Sequence, residues 1–126
     1  NIEIVAQQTA NFDRATALDV TTNLLQSNPD ITGVFAENDE MALGAIQALG
    51  SRAGTDVMVV GFDGTEDGFA AINDGTLVAT IAQQPALLGQ LAVEVALSII
   101  NGDAVEAIVP VEVVSVTKLN VGDFSS

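Results

Sequence analysis

The sequence has no cysteine, no histidine, no tryptophan and no tyrosine. Without cysteine there is no disulfide framework, no thiol nucleophile and no thiolate metal site. Without histidine there is no imidazole base and no imidazole metal ligand. Basic residues are nearly absent: 3 Lys and Arg face 17 Asp and Glu, for a net charge of −14. Nucleic-acid binding needs Lys and Arg to neutralise phosphates, so no nucleic-acid partner is expected, and an anionic membrane surface would repel the chain. No apolar run approaches the ~20 residues that span a bilayer, so no membrane insertion is expected. The opening Asn1-Ile2-Glu3 does not read as a signal peptide and suggests a mature or trimmed chain. The acidic surplus reads as a solvated, self-repelling surface.

What is present is aliphatic. The 126 residues are 48% hydrophobic but only 4% aromatic. That suits one domain, or one lobe of something larger, with a core of Val, Ile, Leu and Ala. The chain is organised around Val34 to Leu49. Val34-Phe35-Ala36 is apolar, Glu37-Asn38-Asp39-Glu40 is a polar corner, and Met41, Ala42, Ala45, Ile46 and Leu49 then share one helix face. The next unit repeats the plan: Val57 to Phe62, the corner Asp63-Gly64-Thr65, then a helix.

Taken in order, Ile2 to Ala6 alternates as a strand. Asp13 caps a helix running to Ser27, with Leu18, Thr21, Thr22 and Leu25 inward. Asn28-Pro29 stops it. Thr32 to Ala36 is a strand, and the following helix ends at Gly50. Val57 to Phe62 reads as a strand buried on both faces. Thr65 caps a helix through Asn73, with Glu66 and Asp67 at its positive end. Leu77 to Ala82 is a strand. Pro85 opens a helix in which Leu88, Leu91, Ala92, Val95, Ala96 and Ile99 form one apolar face, ended by Asn101-Gly102. Ala107 to Leu119 is strand-like, with Pro110 placing its first part at an edge. The tail beyond Leu119 is expected to be loose.

Strands alternating with helices predict an α/β fold: an open parallel sheet with helices on both faces. Right-handed crossovers put every strand-to-helix corner on one edge. Phe12, Asn38, Asp63 and Gln83 fall at or just past strand ends there, where open α/β sheets bind ligands. A flat apolar ring, two amides and a carboxylate suit a neutral polyhydroxylated ligand, whose hydroxyls both donate and accept.

Ala10-Asn11-Phe12-Asp13-Arg14, Phe35-Ala36-Glu37-Asn38-Asp39-Glu40-Met41-Ala42-Leu43-Gly44-Ala45, Val57-Met58-Val59-Val60-Gly61-Phe62-Asp63-Gly64-Thr65 and Ala79-Thr80-Ile81-Ala82-Gln83 closely resemble the carboxyl-terminal half of ribose-binding periplasmic proteins. The spacing is kept over nearly the whole chain. The resemblance implies an incomplete lobe of a type I periplasmic binding protein, periplasmic or secreted, that closes by a hinge on ribose or a similar monosaccharide. It implies Phe12 stacking on the sugar and Asn38, Asp63 and Gln83 bonding its hydroxyls. It implies delivery to the permease of an ABC-type importer and, in some members, to a chemoreceptor. It divides the chain into a partial sugar-binding lobe over 1–83, a hinge crossing with a helix and strand of the other lobe over 84–112, and a return strand and tail over 113–126. The amino-terminal lobe is missing by this comparison, as are the first strand and helix of the present lobe. That strand lies in the family between the first and second strands read here. A companion chain or self-association is therefore expected.

Other readings are weaker on the residues. Asp63-Gly64-Thr65 resembles a phosphatase motif, but Gly61 stands where that motif carries its nucleophilic Asp, so no catalytic residue and no enzyme activity is expected. Glu37, Asp39 and Glu40 could hold a metal, but carboxylates at a helix start are commoner as caps and solvent contacts, so neither metal nor cofactor is expected. Gly44 and Gly61 read as packing positions, since no phosphate-loop pattern accompanies them. The sugar-sensing domain of a LacI-type transcription regulator shares the Asn-Asp-x-Met-Ala-x-Gly and Val-Gly-Phe-Asp motifs and is the alternative. Against it stand Ala71 to Gln83, which look transport-type, and the lack of a DNA-binding headpiece.

Overall fold

A computed structural model of the chain describes residues 2–124. Its helix starts are fixed by side chains placed just ahead of them. Asp13 accepts from the Thr16 N–H at 2.7 Å and opens α1 (Arg14–Ser27). Asn38 accepts from the Met41 N–H at 2.8 Å and opens α2 (Asp39–Leu49). Thr65 accepts from the Gly68 N–H at 3.1 Å and opens α3 (Glu66–Asp74). Each satisfies one of the amides that a helix start leaves without a partner. Pro85 stands in the first turn of α4 (Pro85–Asn101), where its missing N–H costs nothing. Gly75 and Gly102 end α3 and α4 at φ 81° and 82°, a left-handed backbone that glycine adopts freely.

The strands are β1 (Gly33–Phe35), β2 (Met58–Asp63), β3 (Ala79–Ala82) and β4 (Val114–Thr117), in the sheet order β1-β2-β3-β4. β1 pairs parallel to β2, with Val34 opposite Val59. β2 pairs parallel to β3, with Asp63 opposite Ala82. The carboxyl ends of these three strands therefore share one edge, as the crossover rule requires. By contacts the chain forms two units. One runs up to Ala82 and resumes at Ser115; the other is Gln83–Val114.

In the first unit the core is aliphatic: Ala42, Ala45 and Leu49 of α2, Val59 of β2, Ile72 of α3 and Val116 of β4 are all buried. Along β2, Val59 and Gly61 are buried, whereas Met58 is exposed and Val60 and Phe62 are half-buried. The strand is thus fully covered on one face, where α2 packs so closely that a Cβ at Gly61 would run into Asp39 and Ala42. The α1 inner face also differs from the periodic reading. Ala17 and Thr21 are its buried residues, Leu18 and Leu25 are half-buried, and Thr22 is exposed. The reason is close approach: a Cβ at Gly44 would collide with the Arg14 carbonyl and with Ala17, so small residues meet where α1 crosses α2.

Ile2 to Ala6 does not form a strand. Ile2 and Ile4 are 97% and 79% exposed. A strand exists only through a partner, and this segment is separated from β1 by a hollow of about 1320 Å³, lined by Ile4, Phe12, Leu24, Gly33, Phe35 and Met58 among others. The Met58 N–H donates to the Thr32 carbonyl and the Ala36 N–H donates to the Val60 carbonyl. In a parallel ladder successive residues turn their backbone groups to opposite sides. Thr32 and Ala36 thus serve β2, while Gly33 and Phe35 turn theirs toward the hollow.

In the second unit, residues 103–113 run back beside α4. A hollow of about 480 Å³ lies between Leu88, Leu91, Val95 and Ile99 on the helix and Val109 and Val111 on the returning chain. The Gln84 side-chain amide donates to the Glu112 carbonyl at 2.8 Å. No residue of α4 is fully buried. The strand expected over Ala107 to Leu119 is confined to β4. The tail is not loose where it is described: Val121 is buried, Val121–Asp123 is a short 3-10 turn, and the Phe124 ring lies 5.8 Å from that of Phe69. Residues 125 and 126 lie outside the described part.

Candidate functional site

The edge where β1, β2 and β3 end carries the corners before α2 and α3. The corner before α1 is tied to the same edge by Arg14. Its guanidinium donates to both oxygens of Glu40, at 2.9 and 2.8 Å, and to Asp67 at 2.8 Å. Arg14, Glu40 and Asp67 each stand in the first turn of their helix, so one side chain gathers three helix starts. Glu40 first and Asp67 second raise the Arg14 pKa above its ordinary value. Exposed pairs of this kind add little stability; this one sets orientation. Glu40 is thus an ion-pair partner as well as a solvent contact.

Asn38 caps α2 just past β1 and is half-buried. Its Oδ1 is engaged by Met41, so its NH₂ group is what it can offer a ligand. Asp63 is the last residue of β2, half-buried, with φ 114°. Phe12 stands in the turn before α1 with φ 57° and is 63% exposed. Positive φ is uncommon for residues other than glycine, and such residues collect at ligand sites. Gln83 follows Ala82, the register partner of Asp63, and is assigned to the second unit. The structure therefore brings the corners of Phe12, Asn38 and Asp63 to one edge of the first unit. Phe12 lines the large hollow; Asn38 and Asp63 do not line it.

Asp39 is the residue that pattern reading misplaced. It is fully buried, not a solvent contact. Its Oδ2 accepts from the Thr65 N–H at 2.8 Å, the Thr65 hydroxyl at 3.0 Å and the Gly64 N–H at 3.1 Å. Its Oδ1 accepts from the Thr80 hydroxyl at 2.7 Å. A buried carboxylate is tolerable only when donors surround it, and these residues supply them. Position on α2 alone did not signal this. The donors come from the later Gly64-Thr65 corner and from Thr80 within β3, and no local spacing links them to Asp39. The same bonds turn Asp39 away from Glu37 and Glu40, and no group of three or more acidic residues able to hold a metal occurs among the described residues. This edge of the first unit offers an exposed ring at Phe12, an amide donor at Asn38 and a carboxylate at Asp63.

A family model described as periplasmic binding protein domain matches residues 1–104. The ribose import binding protein RbsB of Escherichia coli (strain K12) is 52% identical over 115 residues, covering 91% of this chain and 39% of that protein. Among solved structures, an ABC transporter periplasmic solute binding protein from Actinobacillus succinogenes 130z with bound D-allose superposes with a TM-score of 0.88 at 39% identity, covering 96% of this chain and 43% of the other. An ABC transporter solute binding protein from Bacillus halodurans C-125 with bound myo-inositol gives a TM-score of 0.84 at 40% identity, covering 97% of this chain and 42% of the other. The chain spans about two fifths of the length of the curated relatives it first matches, at 39% of each. A matched family model over most of the residues and these relatives agree with the sheet and its corners: the chain belongs to the periplasmic binding protein domain family.

Proposed function

We propose that this chain is the sugar-gripping part of the solute-binding component of an ABC-type importer, periplasmic or secreted, taking ribose or a similar monosaccharide. The carrying observation is the shared edge: the Asn38 and Asp63 corners end neighbouring parallel strands, and Arg14 draws the Phe12 corner to them. Phe12 stacks on the sugar ring, Asn38 donates to hydroxyls, Asp63 accepts from them, and Gln83 adds a second amide. Residues 84–112 are then the hinge crossing with a helix and strand of the other lobe, which accounts for an α4 without a buried residue. The relatives named above are import and solute-binding proteins and none is a regulator, so the transport reading is kept over the LacI-type alternative. The role is binding rather than catalysis, and the recipients are a permease and, as in some members of the family, a chemoreceptor.

Calorimetry on the full protein with D-ribose tests this. A carboxylate hydrogen bond to a hydroxyl contributes about 1.5–3 kcal/mol, so Asp63→Ala should weaken binding at least tenfold, about 1.4 kcal/mol. Unchanged affinity would remove Asp63 from the site. The chain by itself should bind weakly or not at all, because small ligands are held by enclosure from both sides.

A further inference from the structure

Among the described residues Asp39 is the one buried charged side chain. The packing is built around it. A Cβ at Gly61 or at Gly68 would run into its carboxylate, so both positions are kept empty for it. Thr65 and Thr80 each donate a hydroxyl to it while accepting a backbone N–H, from Gly68 and Gly64 in turn. Asp39 is also the first residue of α2 and bonds the two residues before α3, so two helix starts favour its charge. An apolar side chain could fasten α2 to β2 at lower desolvation cost. What it could not do is hold the two amides that follow Asp63.

Those two amides, Gly64 and Thr65, carry the chain out of a residue with φ 114°. On its other side Asp39 directly follows Asn38. One buried carboxylate thus spans the two polar groups assigned to the ligand. We propose that Asp39 is the positioning residue of this site: by holding the Gly64 and Thr65 amides it sets the spacing of the Asp63 carboxylate from the Asn38 amide before sugar arrives. The proposal rests on the sugar-binding reading of Asn38 and Asp63. It adds that the spacing belongs to the empty protein and is not imposed by the ligand.

The test uses the full protein with D-ribose, D-allose and myo-inositol as probes. Asp39→Asn keeps the shape but replaces one acceptor oxygen by a donor. Sugar affinity should fall tenfold or more, and Asp63→Ala should then add little to that loss, because Asp63 acts through the same corner. Without sugar, the amide hydrogens of Gly64 and Thr65 should exchange at least tenfold faster than in wild type. A purely structural Asp39 would lower the melting temperature yet leave Asp63→Ala its whole penalty, and that result overturns the proposal. Should Asp39→Asn not fold, Thr80→Val removes one of its bonds at similar volume, and Thr80→Ser retains the hydroxyl. Weaker binding in the first with recovery in the second supports the proposal; equal binding overturns it. If wild type takes none of the probes, the sugar reading fails, and amide exchange still decides the hold on the corner: faster in Asp39→Asn supports it, unchanged overturns it.

Discussion

The Oδ1 atom of Asn38 accepts from the Met41 N–H at 2.8 Å, so the proposed sugar contact falls to the NH₂ end of the same amide. Asn38→Asp keeps the acceptor and adds a negative charge at the positive end of α2, but it removes both N–H donors. Thermal unfolding should therefore show a melting temperature equal to wild type or higher, while calorimetry shows sugar affinity down at least tenfold. Asn38→Ala should lose both functions, the cap alone costing about 1 kcal/mol. Equal sugar affinity in wild type and Asn38→Asp would leave Asn38 as a cap only. The place of this residue was legible in the sequence, because corners at neighbouring strand ends follow from strand length and crossover hand. The neighbouring Asp39 was not. Its burial is decided by donors on Thr65 and Thr80, which come near only when β2 and β3 pair. The positive φ of Phe12 was equally silent, since a bulky aromatic rarely adopts it.

At the scale of elements, local signals held and pairing signals did not. Asp13, Thr65, Pro85 and Gly102 mark helix ends through groups within a few residues, so their sequence reading survives in the structure. Ile2 to Ala6 carries the alternation of a strand, but pairing is a property of two segments, and none of the described residues pairs with it. The contact of Phe124 with Phe69 is long-range and likewise left no local mark. The Asp13 cap also gives α1 a pH dependence. The Thr16 hydroxyl first and its backbone N–H second hold the Asp13 carboxyl below the ordinary aspartate value. A depressed folded-state pKa stabilises above the unfolded value and is lost as pH falls through the folded one. The melting temperature of Asp13→Ala should accordingly lie below wild type at pH 7, and the gap should shrink as pH drops below the usual carboxylate range. A gap that stays constant down to pH 2 would show that the cap is not carried by the ionised group.

For the molecule as a whole, two opposing terms decide what this chain does without the remaining three fifths of a relative's length. Attraction comes from an unfinished sheet. Gly33 and Phe35 turn backbone groups toward the hollow of about 1320 Å³, and exposed Ile2 and Ile4 stand across it. Unpaired edges of this kind seek another strand. Repulsion comes from a net charge of −14. It acts over a Debye length of roughly 30 Å at 0.01 M salt but only about 8 Å at 0.15 M, whereas strand pairing acts at contact and is not screened. Self-association of the chain should therefore increase with salt. Light scattering should give a mass near one chain in dilute buffer and a larger, concentration-dependent mass at 0.15 M and above. If the proposed companion segment supplies the strand that the family resemblance puts between residues 2–6 and β1, adding it as a separate polypeptide should suppress that growth. A well-ordered single-chain mass at high concentration in high salt would mean that the edge needs no partner, and the expectation of a companion segment would fall with it.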